Sequence, residues 1–310
     1  MAARILNGKP IAEAIRTEVA ESIAELSSRH GIRPCLALVR VGEDPASAVY
    51  VQSKVKTSEE LGIASEHIHL PANASQDELL GKVQDLNGRD DVDGILVQLP
   101  LPAQIDPSKI LEEIDPAKDV DGFHPINVGR LSLGESSLVP CTPSGVIEIL
   151  KRSGIPITGR HAVVVGRSNI VGKPMAMLFL QENATVTVCH SRTSDLASIT
   201  RLGDILVAAI GRPAFIEKTH IKEGATVIDV GINNFTDSAR AAETFPPEEL
   251  EKRLKTIAAR GFTLIGDVNP KAAMEQAEAF TPVPGGVGLL TVAMLMKNTV
   301  KAAMMRRGIR

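Results

Sequence analysis

The chain has no tryptophan, a single tyrosine (Tyr50) and only three cysteines in 310 residues. Cys35, Cys141 and Cys189 lie far apart without C-x-x-C spacing. Two of them sit in apolar runs, where a small buried thiol is the ordinary reading, so no oxidising compartment is required. No metal site is expected. His67 and His69 share a strand face, but no Cys, Asp or Glu cluster accompanies them in a ligand pattern. No apolar run approaches the ~20 residues that span a bilayer. Asn7, Lys9, Glu13 and Arg16 interrupt the N-terminus where a signal peptide would have its apolar core. A net charge of −3 provides no field for nucleic acid or an anionic membrane. The basic run Arg306-Arg307-Gly308-Ile309-Arg310 is short and reads as a solvated helix end. These absences point to a cytoplasmic protein with neither nucleic acid nor membrane as partner.

What remains is a chain 44% apolar and 23% charged, long enough for two domains. Helix and strand patterns alternate, which predicts an α/β architecture with parallel sheets. The first domain reads as strand 35–41, helix 45–61, strand 66–70, helix 76–87 and strand 92–98. Asp44 can cap the first helix, Pro45 suits its first turn and Gly62 can end it. Leu99-Pro100-Leu101-Pro102 stops the last strand. Residues 115–142 read as irregular and contain the domain crossing, with a helix over 143–152 as connector. The second domain reads as strand 161–166, helix 172–183, strand 185–189, a short helix after Ser194, and strands 204–208 and 226–230. That succession suits a doubly wound nucleotide domain. Residues 233–261 are polar, with a helix over 247–259, and read as a surface excursion. A final helix over 289–306 follows the glycine-rich loop 282–288.

Gly166-Arg167-Ser168-Asn169-Ile170-Val171-Gly172 joins a strand of valines to a helix. A helix N-terminus offers unpaired N–H groups and the positive end of its dipole, so an anion is well placed there. Ser168 stands where the G-x-G-x-x-G fingerprint has its second glycine, which weakens the bare motif while the strand-to-helix context strengthens it. The next strand runs into His190-Ser191-Arg192-Thr193, with no carboxylate before Asp195 to bond a ribose hydroxyl. Ser191, Arg192 and Arg167 favour a 2′-phosphate, and hence NADP over NAD. The alternative is a loop of solvated arginines.

Tyr50 and Lys54 lie one helical turn apart, beside an apolar stripe of Val51 and Val55. Alone, this is an ordinary amphipathic helix with a snorkelling lysine. Gln98, however, ends an apolar strand, and ligands gather at the carboxyl ends of parallel strands. Lys118-Asp119-Val120-Asp121-Gly122 and the loop 282–288 are candidates to close over the same place. His124 and His190 read as structural or solvent-facing.

The chain resembles the bifunctional methylenetetrahydrofolate dehydrogenase/methenyltetrahydrofolate cyclohydrolase family over nearly its whole length. The likeness rests on Tyr50-x-x-x-Lys54, the run from Asp93 to Pro102, Lys118 to Gly122, Pro140-Cys141-Thr142-Pro143, Gly166-Arg167-Ser168, and Pro282 to Gly288. It implies two parallel-sheet α/β domains flanking a cleft, the second Rossmann-like and NADP-binding. The folate-binding catalytic domain would comprise 1–141 with 281–310, and the NADP domain 142–280. The resemblance implies that Lys54 is catalytic, that Gln98 modulates it, that Asp121 holds the pterin and that Tyr50 packs on the folate. It also implies folate contacts from Pro282, Gly285 and Gly286, and NADP contacts from Gly166, Arg167, Ser168, Gly172, Ser191, Arg192 and Ile232. Tetrahydrofolate one-carbon derivatives would be the small-molecule partners, and a homodimer the assembly.

The chain departs from the pattern at Leu289, where the family usually has proline, and in a longer stretch between Gly231 and Gly266. The longer stretch reads as a tolerated elaboration, with a partner or regulatory contact as the alternative. Chemically, oxidation of the methylene bridge needs alignment more than it needs a base. Hydrolysis of the methenyl cation needs a proton taken from water and one given to a ring nitrogen, and one lysine can assist both. A dehydrogenase-only enzyme and a non-catalytic folate or nucleotide binder are the competing readings.

Overall fold

The computed structural model describes residues 3–309, except the side chains of Pro45 and Ala46. It opens with β1 (Arg4–Ile5) and a long helix, α1 (Gly8–His30), which the sequence reading does not anticipate. Lys9 and Glu13, which interrupt the N-terminal apolar pattern, lie on its outer face, while Arg16 is half-buried and approaches Thr57 Oγ1 at 3.4 Å. Ala12, Ile15, Val19, Ile23 and Leu26 recur at helical spacing and are buried.

Next come β2 (Cys35–Val41), α2 (Pro45–Leu61), β3 (Ala64–Leu70), α3 (Gln76–Asn87), β4 (Gly94–Val97), α4 (Pro107–Glu113) and α5 (Pro125–Leu133). The strands form a parallel sheet in the order β3-β2-β4. Ala37, Val39, Val41, Ile95 and Val97 on one face pack with Leu79, Val83 and Leu86 of α3. Burial of this kind is what permits the unbroken apolar run of β2. Helix α5 corrects the expectation of an irregular 115–142. The signals read there as a turn are those of a helix start and stop. The His124 ring accepts from Ile126 N, Pro125 occupies the first turn, and Gly134 ends the helix at φ 75°.

The chain continues through α6 (Cys141–Arg152), β5 (His161–Val165), α7 (Gly172–Gln181), β6 (Thr185–Cys189), α8 (Leu196–Thr200), β7 (Ile205–Ala208) and β8 (Thr226–Asp229). It closes with β9 (Asn233–Phe235), α9 (Ala241–Thr244), α10 (Pro247–Arg260), β10 (Thr263–Ile265), α11 (Pro270–Gln276), β11 (Ala279–Phe280) and α12 (Val287–Arg306). Five of these strands and β1 form a second sheet, all parallel, in the order β1-β11-β8-β7-β5-β6.

The chain divides into two compact units: 1–11 with Thr142–Thr291, and Ala12–Cys141 with 292–310. Residues 1–11 and 281–291, expected with the first domain, thus cluster with the second. The reason is that β1 and β11 are strands of its sheet, and Gly8 N donates to Gly285 O at 2.8 Å. The excursion over 233–261 lies outside the six-stranded sheet, as expected, but it is not merely polar. β9 and β10 pair antiparallel, and Phe235, Ala241, Phe245, Ile257 and Ile265 make a small core with Ala214. Phe235 and Phe245 meet edge to face, centroids 5.2 Å apart.

Helix α12 is long and apolar enough to cross a bilayer, yet 67% of its most apolar stretch is buried inside the protein, which accounts for its composition. Its end is not the solvated tail the sequence suggests. Arg306 Nη1 (2.8 Å) and Arg307 Nη1 both donate to Oδ1 of the fully buried Asp93, whose Oδ2 accepts from Cys35 N at 3.0 Å. A buried carboxylate needs such partners, and they lie 213 and 214 residues away. Replacing Asp93 with Ala removes the buried carboxylate that Arg306, Arg307 and Cys35 N share. We expect a loss of about 3–5 kcal/mol, measured by urea unfolding followed by far-ultraviolet circular dichroism.

Candidate active site

In the unit of Ala12–Cys141 with 292–310, α2 leaves the carboxyl end of β2 through Gly42, where φ is 82°. Asp44 Oδ2 accepts from Ser47 N at 2.7 Å, and Gly62 ends the helix at φ 83°. Tyr50 and Lys54 are one turn apart but differ in exposure: Tyr50 is 43% exposed and Lys54 only 8%. Lys54 Nζ donates to Gln98 Oε1 at 2.9 Å, and Gln98 Nε2 donates to Leu99 O at 2.7 Å. The second bond orients the amide, because only its oxygen is then left to face the lysine.

Asp121 is brought here by its neighbours in the Lys118–Gly122 motif. The buried Lys118 Nζ donates to Leu86 O (2.9 Å), Asn87 O (2.8 Å) and Arg89 O (2.6 Å) at the end of α3. Asp119 Oδ2 accepts from His124 N (2.8 Å) and Asn127 Nδ2 (2.9 Å) at the start of α5. Val120 O accepts from Asn298 Nδ2 at 2.8 Å. Three consecutive residues are thereby fixed, and the half-buried Asp121 follows. Burial raises its carboxyl to about 6; the Lys54 charge opposes the rise and Asp119 adds to it. Burial and the Asp121 carboxylate also push the Cys141 thiol well up, so Cys141 is a buried thiol rather than a nucleophile. His124 is structural, as expected, capping α5 and meeting Glu112 O at 3.1 Å through Nε2.

In the other unit the order of the six-stranded sheet reverses between β5 and β7: β6 lies on one side of β5, β7 and β8 on the other. Nucleotides bind at the carboxyl ends of strands at such a switch point. Gly166 ends β5 at φ 131°, and a Cβ there would lie 2.2 Å from Ala209 O. At Gly172, where α7 begins, a Cβ would lie 2.3 Å from Gly166 O. Both glycines are therefore required by close backbone approach. Ser168 Oγ accepts from Val171 N (3.1 Å) and Gly172 N (3.3 Å), closing the turn by a hydroxyl where the fingerprint has glycine. Arg167, Ser191 and Arg192 are exposed, and among the described residues neither arginine makes an ion pair. Asp195 is occupied elsewhere, its carboxylate accepting from Ser198 N as the cap of α8. A cradle of two obligatory glycines, a helix N-terminus and two unpaired guanidinium groups fits a dinucleotide bearing a 2′-phosphate. Ile232, 47% exposed, lies beside Gly288, where an added Cβ would be 3.3 Å from its Cδ1.

Sequence reasoning missed two buried aspartates at the same end of this sheet. Asp267 accepts from the successive N–H groups of Ile210 (2.6 Å), Gly211 (3.0 Å) and Arg212 (2.8 Å), and from Asn233 Nδ2 (2.9 Å). Asp229 accepts from Gly231 N, Asp267 N and Val268 N at 2.8–3.0 Å. Burial raises Asp229 to about 8; the N–H bonds oppose this and the Asp267 charge adds to it. The signal available in the sequence was a glycine near each acid, Gly231 and Gly266, where any side chain would run into the opposite carboxylate.

The loop 282–288 is held at several points. Thr281 Oγ1 accepts from Asp229 N at 2.7 Å, and Gly285 O accepts from Gly8 N at 2.8 Å. Leu289 N donates to Gly286 O at 3.3 Å, a bond that a proline at this position could not make. Pro282 and Gly285 are half-buried, and Gly286 is buried against Pro282 O.

Comparison with known proteins agrees with this geometry. Residues 6–121 match the catalytic-domain model of the tetrahydrofolate dehydrogenase/cyclohydrolase family, and residues 140–307 match its NAD(P)-binding-domain model. The chain is 57% identical over 308 residues to the bifunctional protein FolD of Koribacter versatilis, covering 99% of both chains. Among solved structures it is similar to the FolD methylenetetrahydrofolate dehydrogenase/cyclohydrolase of Campylobacter jejuni, with a TM-score of 0.88, 44% identity, and 98% and 100% of the two chains covered. It is also similar to the Trypanosoma brucei enzyme complexed with NADP cofactor and inhibitor, with a TM-score of 0.87, 40% identity, and 100% and 99% covered. The paired lysine and glutamine, the switch-point glycine cradle and these full-length matches agree: the chain belongs to the tetrahydrofolate dehydrogenase/cyclohydrolase family.

Proposed function

We propose that this enzyme oxidises 5,10-methylenetetrahydrofolate to the 5,10-methenyl cation with NADP, and then hydrolyses that cation to 10-formyltetrahydrofolate. The observation that carries the reading is the amine of Lys54 held by the oriented amide of Gln98. NADP, when bound, supplies the hydride acceptor. In the first step the ring nitrogens of the substrate stabilise the developing cation, so the protein's task is alignment. Tyr50 offers its exposed ring to the folate, and Asp121 accepts N–H bonds from the pterin edge. Pro282, Gly285 and Gly286 add folate contacts from their loop.

In the second step water adds to the methenyl carbon as Lys54 takes its proton; Lys54 returns a proton to the ring nitrogen, and the bond between that nitrogen and the carbon breaks. Gln98 suits that role because its oriented amide oxygen fixes the position of the amine by a hydrogen bond. Gly166, Ser168 and Gly172 shape the pyrophosphate cradle, Arg167, Ser191 and Arg192 receive the 2′-phosphate, and Ile232 packs on the cofactor. In this reading Ala12–Cys141 with 292–310 is the folate-binding catalytic unit and the other unit binds NADP. The enzyme works in the cytoplasm as a homodimer.

The direct test mixes the protein with 5,10-methylenetetrahydrofolate and NADP and follows NADPH, methenyl and 10-formyl products separately. NADPH with 10-formyl product above the spontaneous rate is expected; accumulating methenyl would mean dehydrogenase alone, and neither product would overturn the reading. Replacing Lys54 with Met lowers the cyclohydrolase by roughly 10²–10⁴-fold and the dehydrogenase far less. Equal loss of both, with folate binding intact, would count against the proton-transfer role. Asp121 is ionised above about pH 6 and a neutral carboxyl below it. Dehydrogenase kcat/KM, which reports groups of the free enzyme, therefore falls as pH drops through that value. In Asp121→Asn the constant is low throughout and this acid limb disappears.

A further inference from the structure

The excursion over 233–261 has so far no part in the chemistry, yet one of its side chains reaches a loop that does. Arg253 of α10 has a side chain only 13% exposed. Its Nε (2.9 Å) and Nη2 (2.7 Å) both donate to Glu249 Oε2, one turn earlier on the same helix. Nη1 donates to Leu264 O at 2.9 Å and approaches Thr263 Oγ1 at 3.4 Å, both on β10. Nη2 also donates to Val283 O at 3.0 Å. The group lies over the Phe245 ring, 5.0 Å from its centroid.

This arrangement works because a guanidinium is a planar fork with fixed donor directions. Glu249 neutralises the charge and sets the plane, and the Phe245 ring faces the group from one side. The remaining donors then point toward β10, at Leu264 O and Thr263 Oγ1, and toward Val283 O on a separate segment. A charged donor makes a stronger bond to a carbonyl than a neutral one does. A fixed partner at Val283 O matters because Gly285 follows at φ 113°, and a glycine leaves the backbone many alternatives. The Gly8 contact at Gly285 holds one side of this stretch, and Arg253 holds the other.

We infer that Arg253 is a positioning residue for the folate substrate: the excursion is a strut, and its guanidinium fixes Val283 and with it Pro282, Gly285 and Gly286. The inference rests on the reading of that loop as part of the folate site. The test compares Arg253→Gln and Arg253→Lys with Ile257→Ala, which loosens the excursion's core without touching the Val283 bond. The readouts are KM for the folate in each reaction, NADP affinity, thermal midpoint, and hydrogen–deuterium exchange of a peptide over 281–290.

Arg253→Gln is expected to raise KM for both folate substrates on the order of tenfold, leave NADP affinity unchanged and speed exchange over 281–290. Arg253→Lys, with one compact ammonium in place of a fork, falls between. Ile257→Ala lowers the thermal midpoint but leaves KM alone. A KM rise as large in Ile257→Ala as in Arg253→Gln would reduce Arg253 to a stabiliser of its own excursion and overturn the inference. Faster exchange with unmoved KM overturns the link to substrate. Absence of turnover in the wild-type enzyme defeats the functional reading beneath it, whereas unchanged exchange in Arg253→Gln defeats the strut itself.

Discussion

The bond between Lys54 and Gln98 is the interaction around which the catalytic unit is organised. A lysine only 8% exposed must find an acceptor, and the acceptor here is a neutral amide. That amide is aimed by its own bond to Leu99 O, and its backbone is placed by β4 pairing with β2. The helix bearing Lys54 starts where β2 ends, so one parallel sheet delivers both partners. Asp121 completes the group because Lys118, Asp119 and Val120 are each tied to a different element.

Both units share this logic of strand ends. In a parallel sheet every strand delivers its next loop to one edge, and the ligand-binding groups accumulate there. The catalytic unit places Gly42 and Gln98 on such an edge, and the nucleotide unit places Gly166, Ala209 and Asp229 on another. The loops that result are short of regular structure, so their backbone N–H and C=O groups need partners. Buried charges supply them: Lys118 serves three carbonyls, Asp267 three successive amides, and Arg253 two carbonyls on separate segments. These ions serve as connectors, and their desolvation is offset by charge-assisted hydrogen bonds.

A close backbone approach recurs wherever two of these loops meet. Gly166 against Ala209, Gly172 against Gly166, and Gly231 and Gly266 against the two aspartates each leave no room for a Cβ. The glycine-rich composition of these stretches is thus a packing requirement as much as a conformational one. At Leu289 the chain has an N–H that closes the loop onto Gly286, a bond a proline could not make.

The sequence alone determined the elements whose signals are local. Asp44, Pro45 and Gly62 bound α2 as their chemistry requires, and the Gly166–Gly172 interval opened a helix. Local signals failed where meaning depended on burial. α1 was hidden because its charges look like interruptions until its inner face is packed, and α5 because proline and glycine mark helix ends and turns alike. Tertiary structure decided that Lys54 is buried while Tyr50 is exposed, and that the Gln98 oxygen faces the lysine. It also drew Arg306 and Arg307 onto Asp93, and turned a polar excursion into a packed element holding Val283. The physical reason is the same throughout. Helix caps and glycine turns are satisfied within a few residues, whereas a desolvated charge takes its partner from wherever the fold places one.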